Sequence, residues 1–95
     1  MDMETLRKNY KSQILEIAHI CNAKDIRVFG SVARNEFGTN SDIDFLVQMK
    51  PNSGFGIGGL KWRLEELFNV KVDIVTEKSL HALIKNQVLR EAIKL

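Results

Sequence analysis

Apolar residues recur at intervals of three and four through Leu6, Tyr10, Ile14, Ile17, Ala18 and Cys21, the spacing that lines one face of a helix. That periodicity predicts an amphipathic helix over residues 4–21, with Asp2 or Thr5 capping its start. The segment "NAKD" breaks the period, and the apolar run at 26–29 reads as a short strand ended by Gly30 and Ser31. "SVARNEF" can form a short helix, and Gly38, Thr39, Asn40 and Ser41 turn the chain into a second strand at 43–49. Pro51 and the glycines up to Gly59 read as a loop. Helical spacing returns with Leu60, Leu64, Leu67 and Phe68, and residues 70–75, rich in β-branched side chains, read as a third strand. Ser79 is placed to cap a terminal helix whose apolar positions include Leu80, Leu83, Ile84 and Val88. The element order predicts an α/β layer structure, a small β-sheet of three or more strands with helices packed on it. Strand order and direction cannot be read from this pattern.

Composition narrows the class without naming a function. A chain of 95 residues with 44% apolar and 27% charged positions has room for one compact core, so residues 1–95 are expected to form a single domain. Fourteen basic against twelve acidic residues leave a net charge of +2, far from the dense basic stripe of a dedicated nucleic-acid binder. The single cysteine, Cys21, cannot make an internal disulfide, and neither a charged leader nor a membrane-length apolar run is present. The expectation is a reduced, cytoplasmic protein that does not enter a membrane.

Acidic residues interrupt the apolar pattern in a telling phase. Alternate side chains of a strand share a face, so Asp42 and Asp44 project together, about 6.6 Å apart along the chain, while Ile43, Phe45 and Val47 enter the core. Two carboxylates so placed repel each other and call for a cation or hydrogen-bond donors between them. A hard ion such as Mg²⁺ takes one or two protein carboxylates and completes its shell with water and phosphate oxygens. A pair of such ions about 3.5–4 Å apart serves in-line displacement at phosphorus. Asp73, with Val72 and Ile74 pointing the other way, can face the same site if the strands are neighbours. Taken singly, these acids read as a turn residue, a partly exposed strand residue and a polar face; together, with their directions fixed by apolar neighbours, they read as a site. Gly30 and Ser31 stand where a strand gives way to a helix, a turn suited to phosphate oxygens but by itself an ordinary strand-to-helix turn with a serine cap.

The combination of Gly30-Ser31, ten intervening residues, Asp42-x-Asp44 and a later strand Asp73 resembles the signature of the DNA polymerase β-like nucleotidyltransferases. Within that superfamily "FGSVARNEFGTNSDIDFLV" is similar to the minimal nucleotidyltransferases, domains often found as the antitoxin half of toxin-antitoxin pairs with helical HEPN ribonuclease toxins. The resemblance covers residues 26–76 and implies a small mixed sheet. It implies that Gly30 and Ser31 bind the triphosphate, and that Asp42, Asp44 and Asp73 are the catalytic carboxylates and metal ligands. It further implies that Asp73 helps activate the attacking hydroxyl. Arg34 matches the arginine that follows the family's Gly-Ser turn, and is expected either to contact phosphate or to order the loop. Asn35 stands where the family commonly has glycine; asparagine tolerates a left-handed backbone, so the turn is expected to survive.

"GFGIGG" offers a competing motif, since Gly54, Gly56 and Gly59 fit G-x-G-x-x-G with Asp73 downstream as a ribose-binding acid. Four residues separate this motif from the preceding strand, Asp73 lies inside its own strand, and Asp42 and Asp44 would have no role. The glycines are therefore expected to form a flexible loop near the nucleotide. His19 and His81 lack partners at ligand spacing and are expected on helix faces or the surface. Trp62 is expected to pack, and Tyr10 to lie in the core or an interface.

The expected reaction is Mg²⁺-dependent transfer of a nucleoside monophosphate, AMP from ATP, to a hydroxyl. Residues 74–95 offer no length for a helical acceptor domain, so the acceptor is expected on another polypeptide. The resemblance implies a tyrosine of a partner HEPN toxin. Two other readings stand beside it: an antitoxin that neutralises its partner by binding alone, and a nucleotidyltransferase subunit acting on RNA or a small molecule.

Overall fold

A computed structural model describes residues 2–36, 42–54 and 56–95. The N-terminal helical segment comprises α1 (Met3–Thr5), five residues wound as a π-helix (Leu6–Tyr10) and α2 (Lys11–Ile20). Its apolar steps explain the wide turn. Leu6, Tyr10, Ile14 and Ala18 follow one another by four, and each such step overshoots a 3.6-residue turn by about 40°. A stretch of wider π turn takes back that drift, which lets Leu6, Ile14 and Ala18 all be buried. Asp2 supplies the cap, accepting a hydrogen bond of 2.7 Å from the Thr5 backbone N–H.

The remaining elements are β1 (Ala23–Phe29), α3 (Gly30–Ala33), β2 (Ile43–Met49), α4 (Gly56–Phe68), β3 (Val72–Thr76), a 3₁₀ turn at Glu77–Ser79, α5 (Ala82–Glu91) and β4 (Ile93–Lys94). The strands form one four-stranded sheet in the order β3-β2-β1-β4. β1 runs antiparallel to β2 and to β4, whereas β2 and β3 are parallel, joined through α4. The α/β class and the mixed sheet thus agree with the expectation, and β2 has the expected bounds.

Several elements differ from the pattern read in the sequence. β1 begins three residues early because Ala23 already pairs with Met49, across an irregularity at Ala23/Asp25. The predicted helix over 31–37 is shorter, ending at Ala33; Phe37 and the turn at Gly38, Thr39, Asn40 and Ser41 lie outside the described residues. β4 has only two residues, below the length at which alternation can be seen. Ser79 does not cap α5: it closes a capping box with Thr76, and His81 Nδ1 accepts from the Leu83 N–H at 3.2 Å instead. Leu83 and Ile84 are not core residues either, being 87% and 48% exposed, and Trp62, 61% exposed on α4, does not pack. Tyr10 is half-buried, its ring tilted against Phe68 at 4.9 Å.

The glycines at 56–59 are helical, not a loop. Gly56 opens α4 against the end of α2, where a Cβ would collide with the Cys21 carbonyl and come within 2.9 Å of Met49 Cε. Close packing of two helix ends explains that glycine. It also puts the segment at the far end of β2 from Asp44, away from any nucleotide held there.

Candidate active site

The site is set by three strand ends brought to one edge of the sheet. Because β1 is antiparallel to β2 and β2 is parallel to β3, the exit of β1 meets the entries of β2 and β3. The register aligns Phe29 with Asp44 and Asp44 with Asp73. Ile43, Phe45, Val47 and Val72 are buried on the core side, so Asp44 and Asp73 face each other on the opposite side, both half-buried. Asp42, also half-buried, stands two residues before Asp44 at the mouth of β2. Glu65 of α4 fixes the entry of β3 by accepting from the Val72 N–H at 3.1 Å, and the Ile43 N–H donates to the Lys71 carbonyl at 3.2 Å.

Gly30 comes directly out of β1 with φ +75°, and a Cβ there would overlap the Asp44 carboxylate, whose Cγ lies 3.1 Å from that position. The missing side chain is what lets the turn lie against the acid. Ser31 follows, half-buried, and Asn35 adopts φ 57°, so the asparagine does carry the left-handed turn. Arg34 projects from the end of α3 with 40% of its side chain exposed. Its Nε pairs with Glu36 Oε1 at 3.1 Å and its Nη1 with Glu91 Oε2 at 3.0 Å.

Electrostatics at this edge are those of an uncompensated acid cluster. Burial first, then the charges of Asp73 and Asp42, together push the Asp44 carboxyl up to about 6, with Arg34 opposing them. Among the described residues no three His, Cys, Asp or Glu side chains are drawn into a closed ligand cluster. The donor set nonetheless fits a hard divalent cation: all-oxygen ligands whose mutual repulsion a cation would relieve, with the Asp44 carboxylate lying close against the side-chain-free Gly30 turn. Two clefts of about 350 and 460 Å³ lie elsewhere, neither lined by Gly30, Asp42, Asp44 or Asp73. The converging carboxylates, not cavity volume, mark the site.

All the residues singled out in the sequence therefore gather at one edge: Gly30, Ser31, Arg34, Asp42, Asp44 and Asp73. Sequence reasoning missed Glu36, Glu65 and Glu91, which hold Arg34 and β3 in place. For Glu91 the only local sign is the helical spacing from Gln87, and nothing in the chain links it to residue 34.

This fold and edge define a nucleotidyltransferase of the smallest kind. Residues 8–95 match the nucleotidyltransferase domain model, and the chain belongs to that family. It is 39% identical over 84 residues to a provisionally named protein adenylyltransferase of Methanocaldococcus jannaschii, covering 87% of this chain and 90% of that one. It is 32% identical over 93 residues to the protein adenylyltransferase MntA of Thermococcus cleftensis, covering 97% and 91%. A solved structure assigned provisionally as a minimal nucleotidyltransferase superposes with a TM-score of 0.84 at 44% identity, over 100% of this chain and 97% of the other. A toxin-antitoxin crystal structure with AMP-PNP shares the fold, with a TM-score of 0.73 at 22% identity over 90% and 71%.

Proposed function

We propose that the protein transfers AMP from ATP to a tyrosine hydroxyl of a helical HEPN-type toxin, acting as the antitoxin of the pair. The observation that carries this reading is the Asp44–Asp73 pair facing across the β2–β3 ladder beside the glycine turn. Kinship with protein adenylyltransferases supports the acceptor class. Asp42, Asp44 and Asp73 would hold Mg²⁺, which supplies charge neutralisation for the phosphates and the departing oxygen.

In this reading the turn at Gly30 and Ser31 takes the triphosphate, with the Ser31 hydroxyl and backbone N–H groups as donors and Arg34 as the nearby cation. The tyrosine oxygen attacks the α-phosphorus and its proton passes to Asp73. The bond from that phosphorus to the oxygen bridging to the β-phosphorus breaks, and pyrophosphate leaves with the electron pair. The protein's part is to align the attacking oxygen with the leaving group and to receive the proton. Incubation with a candidate helical toxin, ATP and Mg²⁺, followed by intact-mass measurement, should show an AMP-sized increase on the toxin that disappears with Asp44→Asn. An unmodified toxin that is still neutralised by Asp44→Asn would replace transfer by simple binding.

A further inference from the structure

Glu91 stands far from the carboxylate edge in sequence, yet one of its oxygens is committed to Arg34 there and the other is held on its own helix. Oε2 accepts from Arg34 Nη1 at 3.0 Å, and Oε1 accepts from Gln87 Nε2 at 3.1 Å, one helical turn earlier on α5. The side chain is only 21% exposed, and Glu36, at 62%, is the looser of the two acids on Arg34. Beyond Glu91 the chain enters β4, which pairs Val28↔Ile93 and Arg27↔Lys94 with β1. The carboxylate is thereby braced against the same strand that delivers Phe29 and Gly30 to the site.

A guanidinium carries five N–H donors in a rigid planar fork, so fixing two of its nitrogens fixes the direction of the third. With Nε on Glu36 and Nη1 on Glu91, the Nη2 edge has no carboxylate partner among the described residues. Arg34 also closes the Gly30–Ser31 turn itself, its backbone N–H donating to the Gly30 carbonyl at 3.1 Å, so its side chain leaves from the turn beside Asp44.

We propose that Glu91, backed by Gln87, is a positioning residue: it orients Arg34 so that the Nη2 edge meets the phosphates of a nucleoside triphosphate at the Gly30–Ser31 turn. This rests on the reading of that turn as the nucleotide seat. A carboxylate bound to an arginine can do one of two opposite things to an incoming anion. If it orients the fork it strengthens binding, and if it merely competes for the charge it weakens it. The two inner contacts, the helix-braced acid and the free outer edge favour orientation.

The test is titration of ATP with Mg²⁺ into the full chain, read by calorimetry. Binding by the wild type is the test of the underlying reading, and its absence removes both. Given binding, Arg34→Ala should weaken affinity roughly tenfold and Glu91→Gln about three- to fivefold, with Glu91→Asp recovering part of the loss. In the Arg34→Ala background Glu91→Gln should have no further effect. Leu83→Ser changes the same helix at a water-facing position away from the ion pair, and should leave affinity within about twofold. Unchanged or tighter binding by Glu91→Gln, an equal loss in Leu83→Ser, or full additivity with Arg34→Ala would each overturn the proposal.

Discussion

In β2 the side chains of Ile43, Phe45 and Val47 are almost wholly excluded from water, whereas in α5 Val88 alone is buried and Leu83 keeps 87% of its surface exposed. Both elements serve the same edge of the sheet. The strand carries Asp44 on the face opposite its core contacts, so moving the acid means breaking the core. The helix carries Glu91 on an element held by one buried valine, an ion pair and a two-residue strand. The groups with least tolerance for displacement are thus built into the sheet, and the group that only orients a side chain is left on a lightly tied helix, where local opening costs least.

The comparison breaks most severely at Phe45. Phe45→Ala should cost about 3–5 kcal/mol in urea unfolding and take the Asp44 geometry with it. Asp44→Asn sharpens the other side of the strand. In wild type without metal, Asp44 titrates near 6 when folded against 3.8 ordinarily, so the folded state holds a proton that the unfolded state has released. Its contribution to stability is fully present below about pH 4 and is lost as pH rises through about 6. Asp44→Asn should escape that loss and be more stable than wild type by about 1 kcal/mol at pH 7.5, a figure reduced for solvent screening. The advantage should vanish near pH 4, as measured by urea unfolding in a chelator. At the mild end, Leu83→Ser should change stability by less than about 0.5 kcal/mol in the same assay, since its side chain already faces water. A larger loss would show that α5 is covered in solution.

Legibility followed the amount of burial. β2 was read with its correct bounds because Ile43, Phe45 and Val47 alternate with the acids, and the same phase announced the shared face of Asp42 and Asp44. In α5 the apolar residues Leu83 and Ile84 obey helical spacing without being buried, so the period that reveals the helix does not reveal its buried side. β4 was invisible because two residues have no period. The glycines of "GFGIGG" looked like a loop because composition cannot reveal that Gly56 is small for the sake of Cys21 and Met49. The contact between Arg34 and Glu91 depends on β4 bringing α5 back to β1, and no local signal encodes such a closure.

Asn22, Asn35, Asn52 and Asn69 all have positive φ between 55° and 63°. Asparagine keeps a Cβ, so the unfolded chain has fewer states to give up than glycine would allow, a saving set against the strain that a Cβ meets in the left-handed region. At Gly30 that saving is out of reach, since the space of a Cβ is already taken by Asp44. The cost in chain freedom is therefore accepted at the very residue where backbone and carboxylate must share room, and a protein engineer seeking extra stability should leave that position alone.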